Sequence, residues 1–114
     1  MAFSEIELQA IVNTVGALCR RRSSARFAHE LRLVYEVRGH SVTIFEERPA
    51  WRNPAEWPRM GVARLRYFRS RGMWGLYWMR RDLKWHVYDP ETPRRDLATL
   101  LEVVDADEYG AFFG

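Results

Sequence analysis

The sequence predicts an α+β fold in which an antiparallel five-stranded sheet is flanked by an N-terminal and a C-terminal helix. Apolar residues recur at helical spacing near both ends of the chain. Between these ends, aromatic and β-branched runs are separated by short polar breaks, which is the pattern of strands joined by hairpins. A chain of 114 residues can bury one hydrophobic core, so we expect a single domain over residues 1–114.

The first helix is expected at about residues 4–22. Ser4 and Glu7 have the spacing of a capping box, which satisfies backbone N–H groups at the start of a helix. Three arginines at residues 20–22 suit the negative end of the helix dipole. The apolar stripe that we expect to face the core consists of Leu8, Ile11, Val12, Val15 and Cys19.

The strands are expected between about residues 26 and 88, beginning with a hairpin. Residues 26–37 alternate as one long strand, and Arg38-Gly39 turns the chain into the next strand. Val42 and Ile44 then continue the inward face, because they pair with odd-numbered residues of the first strand.

A proline-rich segment, residues 49–59, links this hairpin to the remaining strands. Pro49 ends the second strand, because proline cannot continue a paired ladder. We expect the segment to form a crossover loop that Trp51 and Trp57 pin against the domain, since loops of this length need packing of their own.

Residues 64–88 are expected to form a three-stranded meander with two tight turns. The predicted two-residue turns and their flanking pairs are Arg71-Gly72 with Ser70 facing Met73, and Arg81-Asp82 with Arg80 facing Leu83. With this pairing, one face of the meander is apolar and the other combines cations with aromatic rings. The apolar face consists of Ala63, Leu65, Tyr67, Trp74, Leu76, Trp78, Leu83, Trp85 and Val87.

The C-terminal part predicts a second helix at about residues 96–106, with Asp96 as its N-cap. Two adjacent phenylalanines, Phe112 and Phe113, would be costly in water, so we expect them to pack on the domain or on a partner. The side of the helix that is expected to be buried carries Leu97, Leu100, Leu101 and Val104.

Charge is distributed unevenly along a chain whose formal net charge is +3. Residues 59–84 hold eight basic residues and one acid, whereas residues 96–108 hold five acids and no base. Such asymmetry indicates either an anionic partner or mutual neutralisation within the fold. No apolar run is long enough to span a bilayer and the N-terminus is acidic, so we expect no membrane association and a cytoplasmic location.

Several short motifs resemble a small bacterial family known only as domain of unknown function 3024. The resemblance covers most of the chain from about Leu31 onward. It implies no established activity, cofactor or partner for the chain. The residues that carry it are Phe45-Glu46-Glu47-Arg48-Pro49, Ala63-Arg64-Leu65-Arg66-Tyr67, Leu76-Tyr77-Trp78, Asp82-Leu83-Lys84-Trp85-His86, Tyr88 and Phe112-Phe113-Gly114.

The sequence contains no motif for catalysis, phosphate binding or metal binding. Its three histidines are scattered over different segments, so we expect no metal and no cofactor. The lone Cys19 lies on the apolar stripe of the first helix and is interpreted as a buried hydrophobe. A hydrolase that uses His86 with a nearby acid such as Asp89 is the weakest alternative, since no nucleophile accompanies the pair.

The basic-aromatic face of the meander is the candidate binding face. We expect a non-catalytic binding or protein-interaction module, with a homodimer or another protein as partner. The alternative is single-stranded nucleic acid, which proteins hold by stacking bases on rings and binding phosphates with cations. A helix covering this face would remove both roles. The candidate residues are Arg64, Arg66, Phe68, Tyr77, Lys84, His86 and Tyr88.

Overall fold

The computed structural model describes residues 3–23 and 30–114. The five strands form one sheet in the order β1-β2-β3-β4-β5, and each pairs antiparallel with its neighbour in the chain. The predicted α+β fold with a helix at each end is therefore confirmed. The elements are α1 (Glu5–Arg22), β1 (Arg32–Arg38), β2 (Ser41–Glu47), β3 (Arg59–Phe68), β4 (Met73–Met79), β5 (Trp85–Val87) and α2 (Leu97–Ala106).

Helix α1 begins with the predicted capping box. The Ser4 hydroxyl accepts from the Glu7 N–H, and the Glu7 carboxylate accepts from the Ser4 N–H. The expectation that Leu8 and Val12 are buried is wrong, since both are exposed. Leu18, on the opposite side of the stripe, is fully buried instead, so the helix is rotated slightly about its axis. The buried residues of α1 are Ile11, Val15, Gly16, Leu18 and Cys19.

Both helices pack on one face of the sheet, which we call the inner face. Its buried side chains include Leu33, Val42, Ile44, Leu65 and Leu76, and these form one cluster with the apolar sides of the helices. In α2 the expected buried set is confirmed: Leu97, Leu100, Leu101 and Val104.

The C-terminal segment packs back on the domain, as expected. Phe112 is buried, and its ring centroid lies 4.9 Å from that of Tyr88. The Asp107 carboxylate accepts hydrogen bonds from the N–H groups of Phe112 and Phe113. Arg22 stacks over the Phe113 ring, so α1 and the C-terminal segment are joined directly.

In the first hairpin, odd-numbered residues of β1 pair with Val42 and Ile44 as expected, but the turn is Gly39-His40 and not the predicted Arg38-Gly39, since Arg38 pairs with Ser41. Tyr35 pairs with Ile44 and Val37 with Val42, around a two-residue turn that contains Gly39 at φ +57°. Within the described residues this strand begins only at Arg32; the expected strand residues 26–29 lie outside the described part of the chain.

The connection between β2 and β3 joins neighbouring strands as a long hairpin loop. The expectation that Trp51 pins this loop is wrong, because its side chain is 86% exposed. The loop is closed by its own backbone instead: the Ala50 N–H donates to the Glu56 carbonyl. Trp57 does make contact, since the Arg32 guanidinium lies 4.1 Å from its ring centroid.

The register between β3 and β4 differs by two residues from the predicted one. Phe68 pairs with Met73 around a four-residue loop, where the sequence predicted that Ser70 would face Met73. A shift of two residues leaves each side chain on its original face. Tyr67 and Trp74, which pair across the strands, therefore still lie on the inner face.

The register between β4 and β5 differs by one residue, which overturns the predicted faces of β5. Trp78 pairs with His86 and Met79 with Trp85, because the turn contains three residues, Arg81 to Leu83. Leu83 adopts a positive φ of 63°, the left-handed conformation that closes three-residue hairpin loops. A one-residue slip moves every side chain of a strand to the other face.

The positions expected inward and outward in this part of the chain are exchanged. Trp85 and Val87 lie on the side away from the helices, and Leu83 is exposed in the turn. His86 shares the inner face with Trp78, and Tyr88 is buried against Phe112. A two-residue turn was predicted because Arg81-Asp82 is the most polar pair in this stretch. The structure shows that the Asp82 carboxylate accepts from the Lys84 N–H, which stabilises the longer loop.

Replacing Leu83 by glycine tests this register. Glycine adopts a positive φ without the steric cost that a Cβ imposes, and the Leu83 side chain is 67% exposed and buries little area. Relief of the left-handed conformation, about 1–2 kcal/mol, exceeds the extra unfolded-state entropy of glycine, about 0.4–1 kcal/mol. We therefore expect Leu83→Gly to raise the free energy of unfolding in urea titrations by the difference, about 0.5–1 kcal/mol. Leu83→Ala keeps the Cβ and should not stabilise. A loss of stability for the glycine variant would indicate that Leu83 lies in an extended strand, as a two-residue turn requires.

Candidate functional site

The face of the sheet opposite the helices, which we call the outer face, is the candidate site. Neither described helix packs on it, and most of its side chains are partly exposed. Cross-strand pairs place its arginines, aromatic rings and methionines in adjacent rows. The side chains of this face include Arg32, Glu36, Arg38, Thr43, Phe45, Glu47, Arg59, Arg64, Arg66, Phe68, Tyr77 and Trp85.

Four of the seven predicted binding residues lie together on the outer face. Arg64 and Tyr77 are direct cross-strand partners, while Arg66 and Phe68 follow Arg64 on the same side of β3. All four belong to β3 and β4, whose side-chain faces were predicted correctly because the register error there was two residues.

The other three predicted residues do not join them. Lys84 lies in the loop before β5. His86 lies on the inner face, where its Nε2 is 2.8 Å from an Asp82 carboxylate oxygen. Tyr88 is only 4% exposed, and burial is the main cause that raises its pKa. The reason in each case is the three-residue turn, which reverses the alternation assumed for residues 84–88.

Sequence reasoning missed Trp85, the largest ring of the outer face. A Cβ added to Gly61 would lie 2.8 Å from the Trp85 ring. The indole therefore packs directly over the backbone of Gly61, in space that any other side chain would occupy. Gly75 makes the same room for the Phe68 ring, with a hypothetical Cβ at 2.8 Å. Glycine inside a strand often marks the close approach of another group. Gly61 and Gly75 were therefore the sequence signal that large rings cross this face.

Four rings on or beside this surface lie under an arginine: Trp85, Phe68, Phe45 and Trp57. A guanidinium within about 6 Å of a ring centroid is attracted by the ring's electrostatic quadrupole. The observed distances are 4.7 Å for Arg64 over Trp85, 5.4 Å for Arg66 and 4.5 Å for Arg71 over Phe68, 5.2 Å for Arg59 over Phe45, and 4.1 Å for Arg32 over Trp57. The rings and guanidinium planes together present flat groups along the whole length of β3.

Arg64 lies near the centre of this surface without a carboxylate partner among the described residues. Its Nε donates to the Thr43 hydroxyl at 3.0 Å, and its side chain is partly buried. Burial, and then the nearby charge of Arg38, lower the pKa of the Arg64 guanidinium. A cation in this environment lacks the countercharge that partly buried ions usually have. It would therefore gain from an external anion.

Glu47 neutralises two arginines at the end of the outer face next to the loop between β2 and β3. Its carboxylate is 5% exposed and accepts from the Nε of Arg32 and of Arg59, each at 2.6 Å. Hydrogen bonding to Arg59 is the main cause that lowers the Glu47 pKa. Arg59 also contacts Glu36 at 3.1 Å. These contacts fix two guanidiniums in place, while Arg38, Arg64 and Arg66 make no ion pair with a described residue.

Two further reactive side chains in the described part of the chain, His86 and Cys19, lie apart from the outer face. His86 pairs with Asp82 and not with the Asp89 of the hydrolase alternative. Burial raises the pKa of the Cys19 thiol to about 11, so it is a neutral thiol at physiological pH. Among residues 3–23 and 30–114, no group of three or more histidine, cysteine or acidic side chains is placed to hold a metal ion.

The fold and the site define a small α+β domain whose sheet has one face covered by helices and one face on which neither described helix packs. A family model described as Domain of unknown function (DUF3024) matches residues 3–114, and the chain belongs to this family. No curated protein and no solved structure matches the chain. No helix in the described part of the chain has the length and apolar character needed to cross a membrane.

Replacing Glu47 by glutamine tests how much its ion pairs with Arg32 and Arg59 stabilise the fold. The lowered pKa of Glu47 means that its stabilising contribution is complete above its ordinary value of 4.5 and is lost as the pH falls through the lower folded value. We expect Glu47→Gln to be less stable than the wild type by about 1–3 kcal/mol at pH 7, because its hydrogen bonds are to charged groups. The difference should shrink below about pH 4.5.

Urea titrations at several pH values measure this difference. Glu46→Gln is the matched control, since Glu46 pairs with the exposed Arg48 and such pairs contribute little. A Glu47→Gln variant with the same stability deficit at pH 3 and pH 7 would show that the carboxylate charge is not what holds the two arginines.

Proposed function

We propose that this protein is a non-catalytic binding module whose outer face binds single-stranded nucleic acid. The observation that carries the proposal is an open sheet face on which aromatic rings and arginines alternate, with a partly buried Arg64 that lacks a carboxylate partner in the described residues. The cytoplasmic location expected from the sequence would give this face access to such ligands.

The rings and guanidinium planes supply stacking surfaces for bases. Phe68, Tyr77 and Trp85 are each partly exposed on the outer face. Bases of single strands stack on aromatic side chains and on arginine planes alike, and this contact is tolerant of sequence. Stacking is worth about 1–3 kcal/mol per base, so two or three such contacts would support measurable binding.

The arginines without acid partners supply the phosphate contacts. Arg38 on β1 and Arg66 on β3 both pair with Ser41, so these two exposed arginines lie on either side of strand β2, and Arg64 lies one row further along β3. A phosphate would provide the countercharge that Arg64 lacks, and arginine binds phosphate through two parallel hydrogen bonds. Release of counterions from the nucleic acid would add a favourable free energy that depends on salt.

Self-association, the other prediction from the sequence, is less favoured through this face. The outer face carries five arginines, Arg32, Arg38, Arg59, Arg64 and Arg66, against the two acids Glu36 and Glu47. A two-fold dimer brings the same patch of both copies together, so these unbalanced cations would face each other. A polyanion meets the same charges with attraction.

Binding of labelled oligonucleotides, followed by fluorescence anisotropy at increasing salt, tests the proposal. We expect affinity for single-stranded oligonucleotides to fall steeply with salt. Arg66→Ala should weaken binding severalfold and reduce the slope of log K against log salt by about 0.7, the value for one phosphate contact on a single strand. Tyr77→Ala should weaken binding with little change in slope, because it removes a stacking surface and not a charge.

Lys84→Ala is the matched control, since it also removes one exposed cation but lies off the outer face. It should leave the salt slope unchanged. Equal effects of Arg66→Ala and Lys84→Ala would indicate a diffuse electrostatic attraction instead of a site. No binding at low salt would contradict the proposal, and a concentration-dependent dimer in light scattering would then favour self-association.

A further inference from the structure

The long loop between β2 and β3 exposes a tryptophan that the fold does not use. Trp51 is 86% exposed, although a tryptophan gains more from burial than most side chains. The Arg52 guanidinium lies 5.2 Å from its ring centroid, in the same kind of pair that covers the outer face. Tryptophan and arginine are both enriched among the few residues that supply most of the binding energy of interfaces.

The loop has a defined backbone that would hold this ring in position. The Ala50 N–H donates to the Glu56 carbonyl at 2.9 Å, and the Glu56 N–H donates to the Asn53 carbonyl at 3.0 Å. The Asn53 side chain also accepts from the Ala55 N–H at 3.2 Å. A ring on a loop that is already ordered loses less conformational entropy when it binds a ligand.

The base of the loop is continuous with the outer face. Trp57 stacks under Arg32, whose Nε bonds the same Glu47 carboxylate that holds Arg59. The bond between Ala50 and Glu56 places the residue before Trp51 beside the residue before Trp57. Trp57 and Trp51 therefore extend the stacking groups from the sheet into the loop, which also carries one exposed acid, Glu56.

We infer that the loop of residues 48–58 is a second stacking subsite for the same single strand, with Trp51 as its terminal platform. This inference rests on the proposed function of the outer face. Nucleic acid is favoured as the occupant because the subsite repeats the chemistry of the sheet, a ring paired with an arginine, and adjoins it. Strand β3 alone spans about 30 Å, so short oligonucleotides bind on the sheet and longer ones reach the loop.

Two oligothymidylates, of about 4 and about 10 nucleotides, distinguish the subsite from the sheet, because stacking sites of single proteins cover roughly this range of lengths. Trp51→Ala should weaken binding of the longer oligonucleotide about tenfold, the loss of one base stack, and leave the shorter one unchanged. Tyr109→Ala is the control, since it removes another exposed ring, 69% exposed against 86% for Trp51, at a position beyond α2. Thermal melts of both variants check that the fold is intact.

Each result decides the inference. A loss confined to the longer oligonucleotide supports the subsite. Unchanged binding of both lengths by Trp51→Ala, with Arg66→Ala still impaired, overturns the subsite and leaves the sheet as the whole site. Equal losses for both lengths also overturn it, because the loop would then belong to the primary contact. If the wild type binds neither oligonucleotide, the proposed function fails and the subsite fails with it.

Discussion

The three-residue turn from Arg81 to Leu83 determines which side chains the two faces of the sheet present. Because it shifts β5 by one position, it sends Trp85 across Gly61 on the outer face and turns Tyr88 into the core. The same shift creates the stack of Arg64 on Trp85, at 4.7 Å, and fills the space under the C-terminal Phe112. The packing of the core and the composition of the candidate site therefore both depend on the length of this turn.

The outer face is graded in charge along β3. At one end, the buried Glu47 fixes Arg32 and Arg59, so these cations are balanced and rigid. Toward the other end, Arg64 has a hydroxyl as its hydrogen-bond partner and a ring beneath it, but no carboxylate in the described part of the chain. A face on which some arginines are fixed by ion pairs and others have no acidic partner among the described residues is suited to an anionic ligand.

The sequence predicted the fold well where the signals were strong and local. The capping box at Ser4, the Asp96 cap with its buried leucines, and the inward face of the first hairpin are all confirmed, because periodicity and cap chemistry act within a few residues. The site was predicted only in part. Loop lengths decide register, and neither the left-handed Leu83 nor the four-residue loop before Met73 has a strong sequence signature. An error of two residues preserved Arg64, Arg66, Phe68 and Tyr77, whereas an error of one residue misplaced His86 and Tyr88.

Photo-crosslinking to a single-stranded oligonucleotide that carries 5-iodouracil, mapped by mass spectrometry, tests the central claim most directly. Cross-links to this base form at aromatic side chains that stack on it. We expect cross-links at Trp85, Tyr77 and Phe68 on the outer face. Cross-links that map instead to Tyr109 or to the His86 side of the sheet would contradict it, because the ligand would then bind away from the face that the register of β5 creates.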